Sequence, residues 1–345
     1  MGFIMAKLKH IVFTKLNTAE LLSEDNVNFD TIPDDYVVVK SHFTTVSAGT
    51  ERANLTGSGN VGPNGASATF PKKLGYNCAG VVVKIGSKVK KVAVGDRVVV
   101  YWSTHSNYNI AQEDLVVKIE DDNISYQEAA ISFIATFPLA AIRKTKLEIG
   151  EPLMVMGLGI LGQIAVKLAK IAGACPIIAC DPVLARRDEA LRYGADYVFN
   201  PLDKDFAKQV KTVTGGVKVA IEVTGVGAGL NETLDCMAKF GRVALLGCTR
   251  NSDFTIDYYQ KVHVPGISLI GAHTCARAEK ESTHANYTHI DDIKTVLKLC
   301  SLNRLNLIDI IKETHLPDDC TEVYNRLAFD KNFPVGVQFD WSKEF

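Results

Sequence analysis

The sequence lacks the features by which a protein binds a nucleic acid or enters a membrane. No run of lysine and arginine exceeds two residues and the formal net charge is −1, so no basic stripe exists to neutralise a row of phosphates. The longest apolar stretch, residues 152–166, is too short to span a bilayer. The N-terminus has no basic region leading into a long apolar one, and Ala6 stands where a myristoylation signal needs serine or threonine. We therefore expect no nucleic-acid partner, no membrane insertion and no secretion.

The eight cysteines form no pattern that a disulfide framework or a structural zinc site needs. They include no C-x-x-C pair and no cluster with histidine at metal spacing. Most lie in apolar surroundings, where a free thiol packs like a small hydrophobic group. Cys78, in the stretch LGYNCAG, has no cysteine or histidine partner nearby in sequence and is expected to pack. This usage is typical of a reducing cytoplasm.

The pattern of apolar and turn-forming residues changes part-way along the chain. Residues 1 to about 120 carry short valine-rich runs separated by Gly, Asn, Asp and Pro, which predicts an all-β region with many turns. From about residue 127, apolar runs alternate with helical segments. This alternation predicts a parallel sheet covered on both faces, in a doubly wound α/β domain. A chain of 345 residues is long enough for two such domains.

The C-terminal stretch PVGVQFDW also has the pattern of a strand. The α/β sheet already has six predicted strands, so we expect this one to complete the N-terminal β domain. That domain is then discontinuous, with predicted boundaries 1–134 and 276–345, and the α/β domain covers 135–275.

A glycine-rich turn opens the α/β domain. Gly157, Gly159 and Gly162 form G-x-G-x-x-G directly after a predicted strand and at the start of a predicted helix. The first glycine would make the tight turn, the second would let the backbone approach a pyrophosphate, and the third would let the helix pack on the strand. The amides of Ile160 and Leu161 would then donate to the phosphates. The pattern predicts a dinucleotide site, and the alternative is a plain strand-to-helix turn.

An acidic residue follows at the expected distance from the glycines. Asp181 ends the next predicted strand, where its carboxylate would accept hydrogen bonds from the adenosine ribose hydroxyls. It favours NAD because it would repel the 2′-phosphate of NADP, although Arg186 and Arg187 weaken that preference. The alternative is a helix cap before the following proline. Thr224 and Gly247 end later strands and are either cofactor contacts or simple turn residues.

The order of these motifs resembles that of the medium-chain dehydrogenase/reductase family. A β-rich half contains G-x-x-x-x-G-V-V and VGDRV (residues 94–98), and a Rossmann half follows it. The chain then returns to the β-rich half, so the resemblance covers nearly the whole chain. The stretches SAGTE, THSNY and ISLIGAH are similar to those of a subgroup near bacteriochlorophyllide and polyol dehydrogenases. The resemblance implies a GroES-like β-rich catalytic domain, a Rossmann cofactor domain with a doubly wound parallel sheet, and an oxidoreductase that uses NAD in preference to NADP.

Zinc-dependent members of that family place metal ligands where this chain has other residues. Ala48 replaces the ligand cysteine, Tyr76 replaces the ligand histidine, and Ser132 lies near the place of the third ligand. Glu51 and Asn77 replace an aspartate and a glutamate beside the first two. Alanine cannot bind a metal, and tyrosine and serine bind zinc poorly compared with thiolate and imidazole. The comparison implies an enzyme without catalytic zinc.

Without zinc, side chains must stabilise the charge that grows on a carbonyl oxygen and must deliver a proton. By its place in the family pattern, Tyr76 is the leading candidate, and a purely structural tyrosine is the alternative. Thr50 falls where the family keeps a proton-relay hydroxyl, unless it caps a turn. Glu51 is a candidate base or substrate ligand, and the alternative is a surface carboxylate paired with Arg52.

Three further candidates complete the predicted site. His105 lies in a turn that the family often places near its active cleft, and its imidazole suits proton exchange near neutral pH. Asn77 adds a hydrogen-bonding amide beside Tyr76. Thr136 falls where the family contacts the nicotinamide. A structural histidine and a helix-interior threonine are the alternatives for His105 and Thr136.

Three functions remain open from the sequence. The first is a zinc-independent, NAD-dependent interconversion of a hydroxyl and a carbonyl on a small polar substrate, because buried polar side chains need polar partners. The second is reduction of an enone or quinone by NADPH or NADH, and the third is dinucleotide binding without turnover. Resemblance further implies a homodimer or homotetramer through the edge of the Rossmann sheet.

Overall fold

The computed structural model describes residues 5–344, which divide into two compact units. One unit ends at Ile134 and resumes at Ile293, and the other is Ala135–Asp292. The first boundary lies where the sequence placed it, but the second lies at residue 292 rather than 275. The reason is a buried ion pair: Arg277 binds Asp292, and its guanidinium also donates to a helix of the second unit.

The described residues contain sixteen strands and nine α-helices. The strands are β1 Met5–Lys15, β2 Thr18–Asn28, β3 Tyr36–Thr45, β4 Lys72–Lys73, β5 Asn77–Ile85, β6 Arg97–Tyr101, β7 Tyr108–Gln112, β8 Val116–Lys118, β9 Leu153–Met156, β10 Ile177–Cys180, β11 Tyr197–Phe199, β12 Val217–Glu222, β13 Met237–Leu245, β14 Ser268–Gly271, β15 Ile311–His315 and β16 Gly336–Asp340. The helices are α1 Ala48–Leu55, α2 Tyr126–Ala129, α3 Ser132–Thr145, α4 Ile160–Ala172, α5 Leu184–Tyr193, α6 Phe206–Thr214, α7 Gly227–Cys236, α8 His289–Ser301 and α9 Cys320–Phe329. None of the helices in residues 5–344 is long and apolar enough to cross a membrane.

The first unit is β-rich, as its valine-laden runs predict. A three-stranded sheet has the order β2-β1-β4, and a second sheet has the order β15-β16-β3-β5-β6-β8, with β7 also pairing with β3. Valines of β3 at positions 37–39 are fully buried, because both faces of this strand are covered. The C-terminal strand β16 joins this sheet between β15 and β3, which is the place expected for a returning strand.

The second unit is a parallel sheet flanked by helices. Its order is β11-β10-β9-β12-β13-β14, and every neighbouring pair is parallel. All six strands coincide with the apolar runs in the sequence, and β9 and β10 are buried along their whole length. The strand order reverses between β9 and β12, so their carboxyl ends flank the crevice in which doubly wound sheets bind ligands.

Candidate functional site

A fully buried carboxylate organises the polar centre of the β-rich unit. Glu51 lies in the first part of α1 with no exposed side-chain surface. Its oxygens accept hydrogen bonds from the Ser47 backbone N–H at 2.7 Å and from the Tyr324 hydroxyl at 2.6 Å. Nε2 of His105 lies 3.2 and 3.3 Å from the same two oxygens. The predicted alternative for Glu51, a surface carboxylate paired with an arginine, is therefore wrong.

The hydrogen bonds around His105 engage both of its ring nitrogens. The Trp341 indole N–H, which can only donate, donates to the Thr44 hydroxyl at 2.9 Å. The Thr44 hydroxyl lies 2.7 Å from Nδ1 of His105, and the Glu51 carboxylate lies beside Nε2. Both nitrogens are therefore committed to buried partners. His105 is 1% exposed, so this geometry favours the structural alternative over a histidine that meets substrate.

Tyr76 lies outside this saturated cluster and contacts it through one hydroxyl. Its phenolic oxygen makes a short hydrogen bond with the Ser47 hydroxyl. Its ring packs against Trp102 and Phe133, with ring centroids 5.8 and 5.9 Å away. Trp102 is itself 43% exposed and adopts a positive φ of 57°, a conformation that costs about 1–3 kcal/mol and is concentrated at functional sites. Of the predicted catalytic residues, Tyr76 is the one with a titratable hydroxyl beside another hydroxyl.

The remaining two catalytic candidates, Asn77 and Thr50, lie in different environments. Asn77 begins β5, and its carbonyl oxygen accepts the Ile134 backbone N–H at 3.0 Å, while its buried amide nitrogen has no partner among residues 5–344. Thr50 lies half-exposed in the first turn of α1, so it does not cap a turn as the alternative supposed. Its backbone carbonyl accepts a hydrogen bond from the side-chain amide of Asn54 at 2.9 Å.

The positions of the family's zinc ligands do not fit a metal. Ala48 has no donor atom, the Tyr76 hydroxyl is bonded to another hydroxyl, and Ser132 donates to the Ala129 carbonyl at 2.7 Å. Burial raises the pKa of the neighbouring Cys78 thiol to about 12, which keeps it protonated at neutral pH. Within residues 5–344, no three His, Cys, Asp or Glu side chains come together as a metal ion would require.

The glycine loop of the parallel-sheet unit has the shape of a phosphate cradle. Gly157 adopts φ 96°, and an added Cβ would lie 2.9 Å from Thr224, in the loop that follows β12. A Cβ on Gly162 would lie 1.9 Å from the Gly157 carbonyl oxygen, so only glycine lets the helix approach the strand here. Around Gly159, by contrast, a Cβ would meet no atom within 4 Å. The open space lies at the start of α4, whose first-turn amides, including those of Ile160 and Leu161, have no acceptor within the helix.

Asp181 connects this loop to the next strand. One carboxylate oxygen accepts the Leu158 N–H at 2.9 Å and the other accepts the Val183 N–H at 2.8 Å. The second bond supports the turn before α5, but the N-cap residue of that helix is Val183, so Asp181 is not the helix cap that the alternative predicted. Arg186 approaches the carboxylate at 3.6 Å, and Arg187 donates to the Asp181 backbone carbonyl at 2.6 Å. Each carboxylate oxygen keeps lone pairs for a further donor such as a ribose hydroxyl.

Thr224 and Gly247 lie in a turn built around a carboxylate that the sequence did not single out. Glu222 ends β12, and its side chain accepts hydrogen bonds from the Thr224 N–H at 2.8 Å and the Gly225 N–H at 3.2 Å, as well as from the Thr224 hydroxyl. Burial raises the pKa of Glu222. Gly247 donates to the Glu222 backbone carbonyl at 2.9 Å, and a Cβ on it would lie 2.3 Å from the Gly225 nitrogen. Turn formation accounts for both residues.

Thr136 is buried inside α3, where the helix-interior alternative placed it. Arg277 donates to its backbone carbonyl at 2.6 Å and to its hydroxyl at 3.2 Å. The same guanidinium binds Asp292, which also binds Arg143. This group of two arginines around the buried Asp292 carboxylate ties the segment after β14 to the start of the parallel-sheet unit.

Two protein families match the two units in turn. The alcohol dehydrogenase GroES-like domain matches residues 33–128, and the zinc-binding dehydrogenase family matches residues 161–288. The chain belongs to the medium-chain dehydrogenase/reductase superfamily. This confirms the family that the motif order predicts, and with it the fold class of a GroES-like β-rich domain plus a Rossmann domain.

The relatives that match include dehydrogenases of sugars, of alcohols and of L-threonine. D-guloside 3-dehydrogenase of Escherichia coli (strain K12) is 29% identical over 242 residues, which are 69% of each chain. Sorbitol dehydrogenase of Bacillus subtilis (strain 168) is 30% identical over 219 residues, 54% of this chain and 62% of its own. The structure of 2R,3R-butanediol dehydrogenase from Bacillus subtilis has a TM-score of 0.79 at 21% identity, covering 96% of this chain and 99% of its own. At that identity the last similarity shows the fold alone.

Sequence reasoning missed several members of these clusters, which are Thr44, Ser47, Glu222, Tyr324 and Trp341. Tyr324 comes from α9 near the C-terminus, and no local pattern links it to Glu51. Ser47 is the first residue of the stretch SAGTE, and its place ahead of a helix was a usable signal for an N-cap residue. Glu222 was visible as an acidic residue at the end of an apolar strand.

Proposed function

We propose that the chain is a zinc-independent, NAD(H)-dependent oxidoreductase that interconverts a hydroxyl and a carbonyl group on a small polar substrate, such as a sugar, a polyol or a derivative of one. The observation that carries the proposal is the open space at Gly159, beside a loop whose Leu158 amide is bonded to Asp181. The substrate class is supported by the names of two relatives, D-guloside 3-dehydrogenase and sorbitol dehydrogenase.

Cofactor binding is assigned to the parallel-sheet unit. The first-turn amides of α4 would hold the pyrophosphate, and the Asp181 carboxylate would accept from the adenosine ribose. The Asp181 charge disfavours a 2′-phosphate, which is why NAD is preferred to NADP, and the nearby Arg186 reduces that preference without cancelling it. When bound, a nicotinamide dinucleotide supplies or takes up the hydride.

Proton transfer is assigned to Tyr76. Glu51 and His105 have their polar atoms committed to one another and to Ser47, Thr44 and Tyr324, and both are almost completely buried. The Tyr76 hydroxyl bonds the Ser47 hydroxyl at the margin of that cluster, and a phenol is a suitable proton donor to a developing alkoxide. Thr50, with its half-exposed hydroxyl, is a secondary candidate for contact with substrate.

Zinc plays no part in this proposal, because Ala48, Tyr76 and Ser132 offer no ligand set. The test is metal analysis of protein purified without chelator, combined with nicotinamide absorbance measured against a panel of sugars, glycosides, polyols and enones with NAD and with NADP. We expect less than about 0.1 zinc per chain and NAD-linked turnover of a hydroxylated compound that EDTA does not inhibit. Stoichiometric zinc would contradict the metal-free site, and turnover of enones alone would favour the reductase alternative. Cofactor binding without any turnover would favour the non-catalytic one.

We further propose that the chain assembles into a homodimer or homotetramer through β14. Within residues 5–344 this strand pairs with β13 alone, which leaves its outer edge available. Leu269 on it is 39% exposed, and Tyr258, Tyr259 and Val264 before it are 65, 59 and 55% exposed. An exposed edge strand with neighbouring apolar side chains is a template for pairing with a second copy.

A further inference from the structure

We propose that the β-rich unit carries a further ligand site, a cavity beside β1 that binds an uncharged sugar or glycoside through His10 and Ser103. The cavity has a volume of about 350 Å³, which lies in the range of small-molecule sites. Residues between positions 8 and 115 form its wall, so the β-rich unit alone builds it. The wall includes none of the catalytic candidates, which are Thr50, Glu51, Tyr76, Asn77 and His105. The inference therefore does not depend on the proposed function.

Two residues of this wall carry a buried polar atom that has no hydrogen-bond partner among residues 5–344. The atoms are Nδ1 of His10 and the hydroxyl oxygen of Ser103, and the two residues are 4% and 6% exposed. A buried polar group without a partner is costly, so we expect each of these atoms to pair with a group that enters the cavity. The two residues are far apart in sequence, so no local turn accounts for their meeting at one cavity.

Hydrogen bonds of the backbone hold His10 in place. The Ile11 N–H donates to the His105 carbonyl at 2.9 Å, and the Asn107 N–H donates to the Lys9 carbonyl at 3.1 Å. These bonds lie on the two sides of His10 along β1. The imidazole is therefore carried by a fixed stretch of backbone, and a ligand would not have to order it.

The segment that carries Ser103 is fixed by the side chain of Asn109. The Asn109 carbonyl oxygen accepts the Thr104 N–H at 2.9 Å and the Thr104 hydroxyl at 3.2 Å, and its amide donates to the Thr104 carbonyl at 3.2 Å. The amide also donates to the Ser41 hydroxyl at 3.1 Å. Asn109 and Thr104 line the cavity too, but these bonds engage their side chains, which leaves the neighbouring Ser103 hydroxyl for a ligand.

The charges beside His10 favour a ligand without charge. Lys73 lies 3.5 Å from a Glu24 carboxylate oxygen, and Nε2 of His10 lies 3.6 Å from the same oxygen. Burial, and next the charge of Lys73, lower the pKa of His10 against the opposing effect of Glu24, so its imidazole is neutral at pH 7. An anion would compete with Glu24 for Lys73, and a cation would be repelled by Lys73. A hydroxyl group both donates and accepts, so it suits the Ser103 hydroxyl and either tautomer of a neutral imidazole.

Much of the remaining wall is aromatic or aliphatic. Tyr36, Trp102 and Tyr108 contribute rings, and Ala111 and Leu115 contribute alkyl groups. Small-molecule sites commonly combine such a lining with a few polar groups that orient the ligand. A sugar in its ring form has hydroxyl groups around its rim and C–H groups on its faces, so one molecule can meet both kinds of surface.

The test follows the ¹⁵N signals of histidine-labelled protein, with His10 assigned by His10→Gln. The protein, without added cofactor, is titrated with methyl β-D-glucopyranoside, methyl β-D-galactopyranoside and D-mannose, and separately with inorganic phosphate. We expect at least one sugar to shift the His10 signal saturably. Ser103→Ala should raise the Kd of that sugar by about tenfold, as expected for the loss of one hydrogen bond. The matched control is Ser87→Ala, which removes a hydroxyl that bonds Asp34 outside the cavity, and its Kd should stay within about twofold of the wild type.

An unshifted His10 signal at about 100 mM of every sugar, about a hundredfold above a Kd of about 1 mM, would overturn the inference. A saturable shift with phosphate but with none of the sugars would also overturn it, because the cavity would then be an anion site. So would equal Kd values in Ser103→Ala and Ser87→Ala. A urea midpoint measured on each variant shows that it is folded. None of these results bears on the proposed function, whose test is turnover with NAD.

Discussion

Replacing Gly159 by alanine should separate the folding of the parallel-sheet unit from its binding of NAD. A Cβ at this position meets no atom within 4 Å, and φ is −70°, which any L-residue adopts. Gly159 is the N-cap residue of α4, where glycine and alanine differ by about 1 kcal/mol or less. We therefore expect the free energy of unfolding to change by no more than about 1 kcal/mol.

The effect on binding should be larger, because the added methyl group occupies the space in which a pyrophosphate would meet the first-turn amides. A hydrogen bond to a charged acceptor contributes about 1.5–3 kcal/mol. Losing one such bond raises the Kd by about ten- to a hundredfold, since each 1.4 kcal/mol is about tenfold.

Gly162→Ala should instead affect folding, because the added Cβ would lie 1.9 Å from a backbone oxygen. Gly162→Ala should lower the free energy of unfolding by about 1–3 kcal/mol or more.

The assay is NADH titration by calorimetry, with urea unfolding measured on the same samples. Gly49→Ala is the matched control, because it adds the same methyl group to an equally open position in the β-rich unit. We expect it to bind NADH as the wild type does. If Gly159→Ala is folded and binds NADH with the wild-type Kd, the phosphates do not lie over this loop and the reasoning is refuted.

Three further outcomes are expected. Asp181→Asn should lower kcat/KM with NAD by about tenfold and shift the NAD-to-NADP ratio toward NADP, and an unchanged ratio in initial rates would show that this carboxylate does not select the cofactor. Leu269→Glu should convert the oligomer to monomers in light scattering after gel filtration, because like charges on the two β14 edges repel; a monomeric wild type would contradict the proposed interface. Burial, and next the charge of Arg277, lower the pKa of His289 to about 4 from 6.5, so the unfolded chain takes up a proton first as the pH falls. The urea midpoint should therefore decline between pH 6.5 and 4, and less steeply in His289→Gln, whereas equal slopes would contradict this.

The sequence allowed the parallel-sheet unit to be predicted almost completely. Its strands are short, uninterrupted apolar runs such as LMVM in β9 and IIAC in β10, and burial on both faces is what such runs require. The glycine loop could also be predicted from the sequence, because the spacing of its three glycines reflects local backbone geometry. The boundary at residue 292 was not predictable, because it depends on a buried ion pair between Arg277 and Asp292 that no local pattern marks.

The candidate site was predictable only as a set of residue types. Glu51, His105 and Tyr76 were identified from their motif positions, but their partners decide what each one does. Tyr324 lies 273 positions from Glu51, and Trp341 lies 297 positions from Thr44. These contacts form because β16 and α9 return to the first sheet. That return is a property of the chain topology, and local sequence patterns do not predict it. Two residues that looked like acid–base candidates are therefore parts of a saturated hydrogen-bond network.

The late return of β16 to the first sheet has a consequence for biosynthesis. On the ribosome, every strand of the parallel sheet emerges before Tyr324 and Trp341 do. Since domains fold as units during synthesis, the nucleotide-binding half can reach its native state while the other half still has a gap beside β3. Until that gap closes, Glu51 lacks its phenolic donor and Thr44 its indole donor. Under the proposed function, a nascent chain would acquire the ability to hold a dinucleotide before its candidate site is complete, which would separate the onset of binding from the onset of turnover in time.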